Sequence, residues 1–301
     1  MNESEIDMEC RKSTLHRNIK INFFMYFSLA LMHSVAYPIA QIQAVISSLV
    51  NKPCDFFPPL YIYAPLHLCI FASNFGLMVS LVAICIERCV ATIRSSKYER
   101  SNNVLGVMLL AFTIVGTVLV LRYVYHVDDF NVRVWSIVVL PPGSIEEGRK
   151  IVIVYVIVSM ICVITFFVSS RINRRRCIVG TATLTTRYQT RENVITTEFA
   201  YHITGLQVLF FTSYAFMSSL ARSIGDNLFQ MDLKVHIIVR HAIYVVPIFM
   251  LVLPIYSMRR LKYYQRIRDD NIRSIVRMEC RGVAGTQNYE TIITKTWQLN
   301  S

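Results

Sequence analysis

The sequence predicts an all-α, polytopic membrane helix bundle, and three observations carry that prediction. Of 301 residues, 54% are hydrophobic and only 17% charged, a balance foreign to ordinary globular chains. Six runs are long and apolar enough to cross a bilayer, which takes about 20 mainly apolar residues. They are Ile21–Leu49, Ala64–Ile86, Val104–Val127, Ile151–Ser170, Phe199–Leu220 and Val235–Ser257. Each run is continuously apolar instead of alternating with period two, which favours helices over the strands of a membrane barrel. Basic residues also alternate between the connections. The N-terminal lead, the second and fourth connections and the segment after Ser257 carry 23 Lys and Arg, the other connections six, and Arg122 and Arg240 lie inside runs. This positive-inside pattern places both termini in the cytoplasm with an even number of spans. It also accounts for the net charge of +12 through basic loops facing anionic lipid, so no nucleic-acid partner is required.

Residues 1–20 read as a cytoplasmic polar lead, 21–257 as the six-span domain, 258–267 as a juxtamembrane amphipathic helix and 268–301 as a cytoplasmic tail, disordered in part. The lead is too long and polar for a cleaved signal, so the first span should act as a signal anchor and Asn2-Glu3-Ser4 should stay unmodified. Within the first span, Pro38 is expected to kink the outer half, as a tolerated proline or as a gating hinge. Pro53, Pro58 and Pro59 make the next connection a tight outer loop. Eight cysteines are scattered through spans and inner segments, so no disulfide framework is expected. Cys54 in that loop and Cys69 in the outer third of the next span are the nearest to a pair, and a bridge between them is not the expected state.

The second span carries His67, Ser73, Asn74, Gly76 and Ser80, then leaves the membrane at Glu87-Arg88. Small and polar residues of this kind glue helices together, and Asn74 reads either that way or as a ligand contact. A short basic loop follows. At the outer end of the third span, Arg122 is within snorkelling reach of the interface. There it either pairs with an outer acid or binds an anion. The connection Asp128–Lys150 is long enough to fold back over a pocket as a lid, although without cysteine it cannot be tethered by a disulfide. The fourth span places Tyr155 and Ser159 in its outer half and ends in Arg171, Arg174, Arg175 and Arg176, a stop-transfer cluster. Thr181–Thr197 is polar enough to extend a helix into the cytoplasm. The fifth span presents Tyr214 towards its outer part. In the sixth, Arg240, His241 and Tyr244 fall within the first three turns, with Arg240 as a pocket residue or a structural ion pair. Pro247 and Pro254 are expected to kink the inner half.

The outer-half ligand candidates are therefore His67, Asn74, Arg122, Tyr155, Tyr214, Arg240, His241 and Tyr244. Nothing in the sequence supports an enzyme, a metal site or a cofactor. His236 and His241 are five apart, not the four that puts two ligands on one helix face, and there is no nucleophile elbow or phosphate loop. A six-helix channel or transporter is the competing class, weakened by few interior charges and by the lack of an internal repeat.

Glu87-Arg88 followed by Ala91-Thr92 and Tyr98-Glu99, with Arg187-Tyr188-Gln189 and Glu192-Asn193 before the next span, resembles the nematode serpentine chemoreceptors of the Sra superfamily. The Sre branch looks nearest, and His16 with Asn18 also fits. The resemblance covers about His16 to Arg268. It implies a rhodopsin-like seven-helix receptor in the plasma membrane of sensory cells, with an outer small-molecule site, a heterotrimeric G-protein partner and scope for receptor oligomers. By that resemblance Glu87 and Arg88 form an inner-face lock, with Tyr98, Arg187, Tyr188 and Glu192 on the coupling surface. The pair should end the third family helix, whereas here it ends the second run. The expectation is a receptor with six spans, helices two to seven of the family, or a truncated product without function.

Overall fold

The computed structural model describes residues 16–50, 58–94, 103–126, 130, 136–179, 184–228, 238–239, 241–276, 286–287, 289–291 and 294. Six long helices occupy these residues: α1 Arg17–Val50, α2 Leu60–Ile93, α3 Val104–Val124, α4 Ile145–Val179, α5 Leu184–Leu228 and α6 Val246–Val276. A 3-10 turn, Pro142–Ser144, leads into α4. Among the described residues six stretches are long and apolar enough to cross a membrane, and no strand occurs.

The helices outrun the apolar runs, most of all at the ends assigned to the cytoplasm. Helix α2 continues to Ile93, α4 to Val179 and α6 to Val276, while α5 starts at Leu184, well ahead of Phe199. Adding a residue to an existing helix gains a backbone hydrogen bond without a new nucleation cost, whatever the side chain's polarity. Thus Ser257–Ile267 continues α6 directly and is not a separate helix.

Helix α2 is the centre of the bundle. It packs against α1, α3, α4 and α5, while α4 lies along α5 and α6 closes against α5 and α1. In its span 61% of residues are buried, against 22–39% in the other five. Small residues permit this. A Cβ on Gly76 would come within 2.8 Å of Leu29 on α1 and 3.3 Å of Thr117 on α3. The outward faces stay apolar, as Val107, Met108, Phe112, Val115 and Leu119 of α3 illustrate. Such a contiguous exposed surface fits contact with lipid.

Gly106 in the first turn of α3 marks another close approach. Its backbone N–H has no carbonyl of its own helix to bond and donates instead to Asn18 Oδ1 on α1 at 3.3 Å. A Cβ there would meet the Asn18 backbone at 2.9 Å. Gly106→Val should force α1 and α3 apart, costing about 1–3 kcal/mol by overpacking. A lowered thermal midpoint of the purified chain is the expected result.

The last helix departs from the sequence reading. A short turn at residues 241–243 stops at Tyr244 and Val245, and α6 restarts at Val246. The Val245 carbonyl accepts from the N–H groups of Ile248 and Phe249. Pro247 therefore sits in a first helical turn, where its missing N–H deprives no carbonyl of a partner. It begins a helix and does not kink one. By contrast Pro38 and Pro254 lie inside continuous helices.

Candidate functional site

Two adjoining cavities lie in the half of the bundle that the basic loops assign to the outer side, and share Phe71, Leu140, Tyr214 and Tyr244 as walls. The outer chamber, about 660 Å³ of empty space, is bounded by Val138, Val139, Ser218, Ala221, His241 and Ile243. The inner chamber, about 550 Å³, reaches one to two turns deeper, to Asn74, Phe75, Met78, Tyr155, Phe211 and Val246. Both are lined mainly by aromatic and aliphatic side chains with a few polar groups, the usual lining of a small-molecule site.

Tyr244 is the node between the chambers. Its position at the break before α6 carries the side chain into the core, where only 7% of the residue is exposed. There its hydroxyl lies 2.8 Å from His33 Nε2 on α1 and accepts from Asn74 Nδ2 on α2 at 3.0 Å. Its ring packs edge-on against Tyr214 of α5 at 5.4 Å and beside Tyr37 at 5.5 Å. One side chain thus links α1, α2 and α5 to the last helix. Broken helices at membrane depth are tolerated where the freed backbone is buried or lines a cavity, and both conditions hold here.

Residues 138–140 of the connection before α4 line the cavity, and hydrogen bonds hold the segment that begins at Ser136 in place. His67, fully buried, lies 2.6 Å from the Ile137 carbonyl through Nδ1 and 2.8 Å from the Tyr125 hydroxyl through Nε2. A carbonyl only accepts, so Nδ1 carries the proton and, in the neutral ring, Nε2 accepts from Tyr125. On the opposite side, Ser136 Oγ pairs with His241 Nε2 at 2.9 Å and accepts from the Val138 N–H at 3.2 Å. Two histidines, one on α2 and one ahead of α6, therefore pin residues 136–138 between them.

At the far end of α2, Glu87 and Arg88 form a two-pronged ion pair, Nε to one carboxylate oxygen and a terminal nitrogen to the other. Glu87 is 0% and Arg88 1% exposed, so neither charge faces water directly. Next to them, Asn173 Nδ2 of α4 donates to Thr92 Oγ1 at 3.1 Å and to Thr197 Oγ1 of α5 at 3.3 Å. Arg176 donates to the Thr92 carbonyl. These bonds tie together the same ends of α2, α4 and α5. The neighbouring Arg174 to Glu198 pair at 2.7 Å is largely exposed on the arginine side and stabilises little.

His16, just before α1, lies within electrostatic reach of the pair. Burial pushes its imidazole below the ordinary value of 6.5, with Glu87 pulling it back up and Arg88, Arg17 and Lys20 pressing it down. The folded chain then binds this proton less readily than the unfolded chain, so stability rises with pH below about 6.5 and levels off above. His16→Asn should remove part of the fall in thermal midpoint between pH 7.5 and pH 5.

Of the residues singled out from sequence, Asn74, Tyr155, Tyr214, His241 and Tyr244 line one or both chambers. His67 lines neither and holds the outer loop. Arg122 is exposed at the end of α3 and also lines neither. Tyr98 and Arg240 lie outside the described residues. Arg187, Tyr188 and Glu192 fall on the first turns of α5, which extends beyond its apolar run as the polar sequence suggested. Cys69, Cys85, Cys89 and Cys162 are free thiols, and Cys54 lies outside the described residues. Sequence reading passed over His33 as a partner of the site, together with Asn173 and Gln207. Gln207 is fully buried and donates to the Leu77 carbonyl at 3.0 Å. For His33 and Gln207 the signal was a strongly polar side chain inside an apolar run, whereas Asn173, set among Arg171, Arg174, Arg175 and Arg176, carried no such signal.

Six helices of membrane-spanning length and composition, packed around α2 with cavities against its middle and a buried acid-arginine pair nearer its C-terminal end, have the build of an integral membrane protein. The family of serpentine type 7TM GPCR receptor class ab chemoreceptors matches residues 5–291, and the chain belongs to that family. It is similar to three serpentine receptors of class beta from Caenorhabditis elegans. Beta-3 is 24% identical over 94% of this chain and 82% of its own length. Beta-17 is 24% identical over 94% and 78%, and beta-2 is 26% identical over 95% and 83%. No solved structure matches the chain. The class matched is ab and not the Sre branch to which the loop motifs pointed; motifs of two or three residues do not separate branches that a match over most of the chain does.

Proposed function

We propose that the chain is a G-protein-coupled chemosensory receptor. A small environmental molecule enters the paired chambers at the outer face, and the inner ends of α2, α4 and α5 engage a heterotrimeric G protein. The six spans correspond to helices two to seven of the family, with both described ends of the bundle oriented as the basic loops indicate. The observation that carries this reading is the arrangement along α2: Asn74 lines the inner chamber, and the same helix ends in the buried Glu87-Arg88 pair. A ligand acts by favouring an arrangement in which Arg88 leaves Glu87 and the inner ends separate, which requires tighter binding to that arrangement than to the closed one.

Arg88→Ala tests the inner half of this reading. In membranes containing the chain and a G protein, agonist-driven nucleotide exchange should be lost while surface delivery stays at the wild-type level. Exchange that survives the substitution would remove Arg88 from the coupling surface.

A further inference from the structure

The residues lining the inner chamber carry two polar atoms without a hydrogen-bond partner, Asn74 Oδ1 and the Tyr155 hydroxyl. Among the described residues the lining contains no Asp, Glu, Lys, Arg or His. Asn74 is 7% exposed, and its Nδ2 is engaged with the Tyr244 hydroxyl, while its Oδ1 has no hydrogen-bond partner. Buried acceptors are almost always satisfied by protein, water or a bound molecule. An unsatisfied one on a residue that lines a cavity therefore has a chemical preference for what fills the cavity.

We infer that the inner chamber takes a small uncharged molecule, mostly apolar, that carries a hydroxyl or N–H group donating to Asn74 Oδ1. The inference rests on the receptor reading above and names the ligand class for that same site. An ammonium group would supply donors, yet no described carboxylate lines the wall to neutralise it in a poorly hydrated setting. A carboxylate would lack both a counter-charge and a hydrogen to give. Ethers and aldehydes fit the aromatic walls of Phe75 and Phe211 and can accept from the Tyr155 hydroxyl, but they leave Oδ1 unpaired. Sites built to hydrogen-bond a ligand group discriminate against the analogue lacking it more sharply than apolar walls discriminate by size.

The test uses the full chain in lipid nanodiscs and three matched probes: cyclohexanol, methoxycyclohexane and cyclohexylammonium. Saturable shifts in thermal midpoint give the affinities. Cyclohexanol should bind about tenfold more tightly than methoxycyclohexane, the loss expected for one hydrogen bond, and cyclohexylammonium should give no saturable shift. Asn74→Leu should bring the alcohol and the ether to within about twofold of each other by the same loss. Asn74→Ala reads the same preference with less added bulk, so the result does not depend on the leucine variant folding. Val152→Trp, which fills the chamber from α4 without replacing Asn74, should weaken alcohol and ether alike. Equal affinities in the wild-type chain, or a preference that survives both Asn74 variants, would overturn the ligand class while a block by Val152→Trp still upheld the chamber. Binding unaffected by Val152→Trp, or no saturable binding by any probe, would overturn both.

Discussion

Glu87→Gln raises nucleotide exchange in the absence of any ligand. Arg88 is buried in an ion pair with Glu87, and removing one member of a buried ion pair typically costs about 3–5 kcal/mol because the other charge loses that compensation. An arrangement in which Arg88 reaches water or a partner protein escapes that cost. The closed arrangement therefore bears most of it, and the balance moves towards the open one. Even one-third of such an energy is worth about tenfold in population, so basal exchange should rise by about tenfold or more. Arg88→Ala provides the contrast, because it removes the charge that Glu87 restrains and the group proposed to reach the partner. If Glu87→Gln leaves basal exchange unchanged in membranes with equal receptor content, the pair does not restrain the bundle.

The second large effect concerns stability. Tyr244→Phe keeps the ring packing against Tyr214 and Tyr37 but strips the partner from both His33 and Asn74. Interhelical hydrogen bonds in membrane proteins average about 0.6 kcal/mol and reach about 1.7. Here two are lost together and two buried polar groups are left without a partner, so about 2–3 kcal/mol is expected. The thermal midpoint of the purified chain should fall accordingly. Replacing the orphaned partners as well, in His33→Leu/Asn74→Leu/Tyr244→Phe, should recover much of that loss, because an apolar replacement of every partner leaves nothing unsatisfied. A triple variant no more stable than Tyr244→Phe would mean that the loss comes from packing and not from the hydrogen bonds.

The six spans were legible because burial in lipid demands continuous apolar runs, and Ile21–Leu49 or Val104–Val127 need no tertiary information to be seen. Helix ends were less legible, since the first turns of α5 around Arg187 and the last of α6 beyond Ser257 are held by backbone bonding that hydropathy does not register. Pro247 was misread for a related reason. A proline within an apolar run is compatible with a kink or with a fresh start, and only the neighbouring carbonyls decide. At the site, polar residues inside runs marked Asn74, His67 and Tyr244, but not their pairing. His33 and Tyr244 are 211 positions apart, and nothing local in either helix specifies the other. Arg122 illustrates the reverse, a charge inside a run whose position at the helix end lets it turn outward.

Asn74 and Arg88 stand fourteen positions apart on one uninterrupted helix, about 21 Å along its axis and within about 40° of the same side. That makes α2 a crankshaft. Under the proposed mechanism, a twist imposed at the chamber would reach the ion pair through the helix itself, with no relay of side chains required. Helix-breaking substitutions midway, around Ser80 or Ala83, would then uncouple the two ends while leaving each locally intact.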